Sequence, residues 1–356
     1  MERYINSYAT EDDIQIALQN GELLKPYVAY IEDADRIDWN SKEIVDYTTE
    51  YLTFNILSAG TINWTASDSS VTRTIEYKLN DGEWTSITSN TGSSAPTITV
   101  NSGDKIQFRG SNTQYATGFS KYNSFSDSTA SFEVEGNIMS LIYGDNFKNN
   151  STISSTNTFY SLFKNCVNLV SAENLVLPAT SLKSLCYGSM FYGCASLTKA
   201  PKLPATTLAG NCYVQMFSNC TSLTVAPELP ATDLKNYCYN NMFYGCTSLI
   251  TAPSVLPATT LANNCCSYMF FNCSSLTTAP ELPATTLATQ CYDNIFCGCR
   301  SLNYIKCLAT DISAYGCTYN WVNGVAATGT FVKNPNMTSW GTGDSGIPNG
   351  WTVQDA

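Results

Sequence analysis

Large hydrophobic residues recur at a nearly constant interval through the second half of the chain. A phenylalanine is followed three residues later by a cysteine, and three residues after that by a leucine. The phenylalanines are Phe163, Phe191, Phe217, Phe243, Phe270 and Phe296. One unit of this length cannot bury its own Phe, Cys and Leu, whereas stacked units bury them as continuous ladders. The pattern therefore predicts a stack of coils with these residues inside.

The interval also indicates the class of coil. Units of about 20–29 residues are typical of leucine-rich repeats, whereas helix-pair repeats are longer. Each unit carries two prolines, as in Ala226-Pro227-Glu228-Leu229-Pro230, which excludes a long helix there. We expect a short strand, turns and one helical turn over Cys238–Phe243. The sequence thus predicts a leucine-rich-repeat solenoid over residues 138–325.

The repeated segment Met242-Phe-Tyr-Gly-Cys-Thr-Ser-Leu249, followed by an apolar-Pro step, resembles the BspA-like leucine-rich repeats of bacterial surface proteins. The resemblance implies a curved, right-handed solenoid that adheres to proteins or glycans. This chain departs from the family in having a longer unit with two prolines. The fold inference survives that difference, whereas the family's partners do not transfer.

The chain has fifteen cysteines and no histidine. Most cysteines occupy fixed positions in the repeat, where we expect small buried thiols rather than disulfides or metal ligands. Equivalent residues on stacked coils lie about 4.8 Å apart, which is wide for a disulfide. The absence of histidine excludes Ser-His-Asp and Cys-His catalysis and histidine-ligated zinc. We predict no cofactor and no metal site.

Residues 49–137 alternate between hydrophobic and polar positions in short runs separated by turn residues. Thr74–Leu79, Asn80-Asp81-Gly82 and Glu83–Ile87 predict a hairpin. Further strands are expected at 52–57, 97–100, 105–108 and 131–134. Their order resembles the Ig-like modules that precede such repeats in Bacteroidales proteins, which implies a β-sandwich. We interpret this domain as a spacer in preference to a binding module.

Residues 1–48 are expected to form a helix followed by a hairpin that is too small to fold alone. The stretch from Lys25 to Glu32, together with Arg36-Ile-Asp-Trp-Asn40, resembles N-terminal pieces of Bacteroides phage virion and fibre proteins. The resemblance implies attachment to other virion proteins or self-association into a homo-oligomer. The expected attachment residues are Ile14, Leu18, Tyr27, Val28, Tyr30, Ile37 and Trp39. Residues 326–356 depart from the repeat and are expected to cap it.

The composition of the chain disfavours several classes of function. The net charge of −11, with only 18 Lys and Arg, disfavours nucleic-acid binding and attraction to anionic membranes. There is no apolar run long enough to cross a membrane and no signal-peptide pattern, so we expect synthesis in a host cytoplasm and no membrane insertion. Repeat acids are few, and Glu228 and Glu281 lie two coils apart, which disfavours glycosidase chemistry. We therefore predict a non-enzymatic protein.

Two columns of aromatic residues in the repeat are candidate ligand contacts. One follows the first cysteine of each unit, and the other follows the phenylalanine. The candidates are Tyr187, Tyr192, Tyr213, Tyr239, Tyr244, Phe271 and Tyr292. Aromatic faces beside Asn and Thr suit sugars, but the same tyrosines could pack between coils.

The expected function is that of a virion-attached fibre or decoration protein of a phage, with a repeat surface that binds a host-surface glycan or protein. The first alternative is a BspA-like adhesin on a bacterial cell surface. The second is a purely structural virion component without a ligand. The absence of an export signal favours localisation in the virion.

Overall fold

A computed structural model describes residues 46–356. This part of the chain is mainly β, with one short α-helix and several 3₁₀ turns. The strands are β1 (Leu52–Ile56), β2 (Gly60–Asn63), β3 (Thr65–Ala66), β4 (Thr74–Leu79), β5 (Thr85–Thr88), β6 (Thr97–Val100), β7 (Lys105–Arg109), β8 (Ala116–Gly118), β9 (Lys121–Ser124), β10 (Phe132–Asn137), β11 (Leu169–Val176), β12 (Tyr304–Cys307), β13 (Thr330–Lys333) and β14 (Thr352–Asp355). The helix is α1 (Ser140–Tyr143), and the 3₁₀ helices are Tyr47–Thr49, Ser69–Val71, Gly92–Ser94 and Gly144–Asn149.

Strands β1 to β11 build three sheets. The largest has the order β11-β10-β1-β7-β4-β5, and its pairings are antiparallel except for β10 with β11. Strands β2 and β6 form a pair, and β3, β9 and β8 form a third sheet. The predicted hairpin forms between β4 and β5, with Asn80 at a positive φ of 50° in the turn. Strands β2, β3, β8 and β9 were not predicted, because they are short and have weak alternation.

Aromatic packing fills the space between these sheets. The ring of Phe54 on β1 stacks on Phe132 of β10, with centroids 4.8 Å apart. Phe125 packs against both Phe54 and Trp64 at 4.8 Å. The indole N–H of buried Trp64 donates to the carbonyl of Arg73, so its one polar group is satisfied.

The N-terminal sheets and the repeat share one hydrophobic core. Strand β11 lies inside the predicted repeat, yet it pairs in parallel with β10. Phe163, the first ladder phenylalanine, lies 5.7 Å from Phe125 and 5.9 Å from Phe54. The predicted boundary at residue 137 is therefore crossed by backbone hydrogen bonds and by packed rings.

From residue 156 onward, successive units stack in parallel. The Phe217 and Phe243 rings lie 5.5 Å apart with 4° between their planes, and both residues are fully buried. Isolated parallel bridges, such as Val225 with Thr251, link the extended segments of neighbouring units. The observed stacking agrees with the interior ladders predicted from the interval.

The segment before each ladder cysteine is a run of turns instead of the expected helical turn. Every fourth residue has a positive φ, as in Tyr237 (59°), Asn241 (55°) and Gly245 (71°). Such residues cannot continue a right-handed helix. Alternate backbone N–H groups bond within the run and to the next unit; Phe217 donates to the Met242 carbonyl at 2.9 Å. The prediction of a helical turn over Cys238–Phe243 was wrong for this reason.

The last units are covered by the C-terminal residues. Strands β12, β13 and β14 form a parallel sheet. Trp340 stacks on buried Trp321 at 5.4 Å, and the Trp321 indole donates to the Gly346 carbonyl. Trp351 is buried and donates to the Ala326 carbonyl at 2.7 Å. These contacts satisfy the need of a terminal repeat for a cover.

Candidate binding surface

Within each run of turns, two residues that face the interior of the stack are followed by two residues that face outward. In the fourth unit Cys238 and Tyr239 point inward, the next two residues are partly exposed, and Met242 and Phe243 point inward again. The period of four follows from one left-handed residue in every four. Outward positions on neighbouring units lie side by side and form one continuous surface, which we call the turn face.

Four of the seven candidate ligand contacts lie inside the stack. Their relative exposure is at most 1 %. These residues are Tyr187, Tyr213, Tyr239 and Tyr292. Consecutive rings in this column stack on each other at 5.9–6.0 Å. Their assignment as ligand contacts was wrong, because the residue after the first cysteine belongs to an inward-facing pair.

The other three candidates lie on the turn face and are partly exposed. Tyr244 and Phe271 stack with centroids 4.9 Å apart and planes only 2° apart. Tyr192 lies two units before Tyr244, with Ser218 between them in the same column. The ammonium of Lys164 lies 5.2 Å from the Tyr192 ring centroid, which is a cation–π distance. These three residues remain candidate contacts.

Further residues that the sequence analysis did not select surround the Tyr244–Phe271 pair. Tyr268 lies 5.5 Å from Phe271 at an angle of 43°. One unit further on, Asp293 occupies the position next to the left-handed Asn294. Tyr319 is 58 % exposed, and its carbonyl accepts a hydrogen bond from the Asn294 N–H at 2.8 Å. We call Tyr244, Tyr268, Phe271, Asp293 and Tyr319 the aromatic patch.

The carboxylate of the aromatic patch is held in place by its neighbours. Asp293 accepts hydrogen bonds from the Ser267 hydroxyl at 3.3 Å and the Asn294 amide at 2.6 Å. Burial raises the pKa of Asp293, which these bonds partly offset. Burial and the nearby Asp293 also raise the pKa of Tyr268. Asp293 is only 6 % exposed and both of its oxygens already accept these bonds. We therefore expect the partly exposed rings around it to make the ligand contacts.

The cysteines are all free thiols, and all except Cys297 are buried. The Cys194 thiol donates to the Phe163 carbonyl at 3.0 Å, and Cys220 donates to the Phe191 carbonyl at 3.1 Å. Burial raises the pKa of Cys186 and of Cys246 to about 12. These two thiols therefore stay protonated at neutral pH and act as small packing groups. Within residues 46–356 no cluster of three Cys, Asp or Glu side chains could hold a metal ion.

The carboxylates of the repeat are mostly engaged by neighbours. Lys306 binds Glu281 at 3.1 Å, and Lys235 binds Asp233 at 2.6 Å. Glu228 accepts a hydrogen bond from the Ser254 backbone in the next unit at 3.2 Å.

A polar cleft of 470 Å³ lies in the N-terminal part and was not predicted. Arg109 crosses it, binding both Glu76 and Asp145 at 2.8 Å and lying 4.2 Å from the Trp84 ring centroid. The hydrogen bond from Tyr51 and the contact with Arg109 lower the pKa of Asp145. Since the guanidinium joins β4, β7 and the 3₁₀ helix after α1, we interpret this network as stabilising the fold and not as a binding site.

The predicted attachment residues, from Ile14 to Trp39, lie outside the described residues. No family model, curated protein or solved structure matches the chain. Among residues 46–356, no helix has the length and apolar character that crossing a membrane requires.

Proposed function

We propose that this protein is a non-enzymatic binding protein of a phage virion, a fibre or decoration protein that presents a leucine-rich-repeat solenoid to the host surface. The aromatic patch carries the binding part of this proposal. It combines a stacked, partly exposed Tyr244–Phe271 pair with the fixed carboxylate of Asp293, which is only 6 % exposed. Aromatic rings beside hydrogen-bonding groups suit sugars and protein side chains.

The rest of the fold supports the same role. We assign residues 49–137 to an Ig-like β-sandwich that holds the solenoid away from its point of attachment. Attachment to the particle or to further copies is assigned to residues 1–48. This part of the proposal is supported by their sequence resemblance to phage virion proteins.

Binding can be tested with purified protein and intact cells of the candidate host. We expect saturable binding that falls when cell-surface glycans are oxidised with periodate or when surface proteins are removed with protease. The treatment that abolishes binding identifies the ligand class. Equal binding to host cells and to unrelated bacteria would contradict the proposal.

The virion assignment needs its own measurement. Mass spectrometry of gradient-purified particles should detect the protein at a constant ratio to the major capsid protein. Its presence in the cell-envelope fraction with none in particles would contradict virion attachment and favour the alternative of a bacterial adhesin.

A further inference from the structure

A second surface of the repeat carries an unbroken column of threonines. Each Leu-Pro-Ala-Thr block, and its last remnant Leu308-Ala309-Thr310, places one threonine at the same point of the coil. The column consists of Thr180, Thr206, Thr232, Thr259, Thr285 and Thr310, and all six are exposed. The next position is also exposed in every unit and holds Ser181, Thr207, Asp233, Thr260, Thr286 and Asp311. We call these two columns the threonine strip.

The invariance of the first column is not explained by packing. The buried neighbours of Thr232 are Ala231 and Leu234, and the Thr232 side chain points to solvent. The column's backbone makes the inter-coil contacts, as when the Thr206 N–H donates to the Thr180 carbonyl at 3.1 Å. Those bonds do not depend on the side chain.

The threonine hydroxyls are almost all available to a ligand. Within the column, only the Thr310 hydroxyl bonds the chain, to the Thr285 carbonyl at 3.3 Å. Another exposed column varies instead; the one that contains Val225 also holds Lys199, Thr251 and Tyr304. One surface column has thus kept a hydroxyl residue in six coils while another has changed freely.

The strip has the geometry of a periodic receptor. Stacked parallel segments lie about 4.8 Å apart, so six coils present hydroxyls over roughly 24 Å. Threonine is restricted at χ1, which means that little side-chain entropy is lost when its hydroxyl is bound. A matching ligand must be extended and must repeat a hydroxyl-bearing unit about every 5 Å.

We propose that the threonine strip binds a linear, neutral polysaccharide that lies along the stack with one sugar residue per coil. Threonine hydroxyls donate to and accept from sugar hydroxyls. Lys235 binds one oxygen of Asp233, and the Ser313 backbone donates to one oxygen of Asp311, so the second oxygen of each carboxylate accepts from the sugar. These two carboxylates disfavour the other periodic hydroxyl lattice, ice, because an ice surface offers a charged group no compensation. The inference rests on the proposed function only in requiring a glycan ligand, and it uses a different face from the aromatic patch.

The test measures binding of the full chain to β-1,4-linked gluco-, manno- and xylo-oligosaccharides from disaccharide to hexasaccharide by calorimetry. We expect affinity for at least one series to rise with each added sugar up to the hexasaccharide. The triple variant Thr206→Val, Thr232→Val, Thr259→Val removes three central hydroxyls at almost constant shape. It should weaken hexasaccharide binding at least about tenfold, since each lost hydrogen bond contributes about 0.5–1.5 kcal/mol.

The matched control is Thr224→Val, Thr251→Val, Thr278→Val, which removes three exposed hydroxyls from the two columns that follow the ladder leucines, outside the threonine strip. It should bind as the unchanged protein does. Equal binding by both triple variants would overturn the inference and leave the aromatic patch as the glycan site. If the protein binds none of the oligosaccharides, the inference is also overturned, but the proposed function remains possible with a host protein as the ligand. Inhibition of ice recrystallisation that only the strip variant loses would overturn it in favour of ice.

Discussion

The side chain of Asn219 lies directly over Gly245 of the next unit. A Cβ atom added at Gly245 would come within 2.5 Å of the Asn219 Oδ1. The same relationship holds between Asn165 and Gly193, so Asn and Gly alternate along this column through the first six units. Both residue types tolerate the positive φ that the position requires. The alternation gives each asparagine side chain the space left by the following glycine.

The substitution Gly245→Ala should therefore destabilise the protein by about 1–3 kcal/mol, since it adds both backbone strain and a contact that is too close. Adding Asn219→Ala should restore the stability that is lost to the close contact, whereas the loss caused by the positive φ should remain. Urea unfolding monitored by tryptophan fluorescence measures both effects. Gly210→Ala is the control, because its added Cβ would meet its nearest atom at an ordinary 3.4 Å. Equal losses at positions 210 and 245 would contradict this account.

The Phe ladder predicts a larger effect. Phe243 is fully buried between Phe217 and Phe270, at 5.5 and 5.4 Å. Replacing it by alanine should cost about 3–5 kcal/mol through lost burial and the cavity that remains. The denaturation midpoint should fall strongly, whereas Tyr237→Ala, at a 41 % exposed position, should have little effect. A small loss for Phe243→Ala would show that the units do not depend on the ladder.

Much of the stack could be predicted from the sequence, because buried ladders require the same residue in each coil. The interval fixed which Phe, Cys and Leu residues face inward. The turn runs were harder to predict, since their signal is a left-handed residue at every fourth position, and that position accepts Asn, Gly, Ser, Gln, Tyr and Leu. Without the period of four, the sequence does not show that Tyr239, beside Cys238, faces inward while Tyr244, beside Gly245, faces outward. The aromatic patch depends on contacts between units, as between Tyr268 and Phe271, and no local pattern reveals them.

The buried thiols predict a stability that falls in alkali. Burial raises the pKa of Cys186, Cys246 and Cys307 from 9.0 to about 12 in the folded state. Between pH 9 and 12 the unfolded chain loses these protons while the folded chain keeps them. The contribution of these thiols to the free energy of unfolding is therefore fully present below pH 9. Above pH 9 the free energy of unfolding declines by up to about 1.4 kcal/mol per pH unit for each such thiol.

Urea midpoints measured from pH 7.5 to 10.5 check this dependence. The midpoint should be constant to about pH 8.5 and then fall. Cys246→Ala, which removes one titrating thiol, should reduce the slope above pH 9. A midpoint that stays level through pH 10.5 would contradict the burial of protonated thiols.

Deletion of residues 1–45 should separate attachment from folding. The sheets and the repeat share a hydrophobic core that runs from Leu52 to Trp351. We therefore expect the shortened chain to remain folded, with an unchanged thermal midpoint. We predict that it still binds host cells but is absent from particles assembled in a phage that carries the deletion. Incorporation of the shortened chain at the normal level would place attachment elsewhere, with residues 49–137 as the next candidate.

The central claim is that the turn face binds the host through the aromatic patch. The most direct test is equilibrium binding of fluorescently labelled protein to host cells, comparing the unchanged chain with the double variant Tyr244→Ala, Phe271→Ala. Tyr304→Ala, an exposed tyrosine on β12 outside the turn face, is the control, and circular dichroism establishes that all three proteins are folded. We predict that the double variant binds at least about tenfold more weakly, since each stacked ring contributes about 1 kcal/mol or more, and that Tyr304→Ala binds normally. Undiminished binding by a folded double variant would contradict the claim.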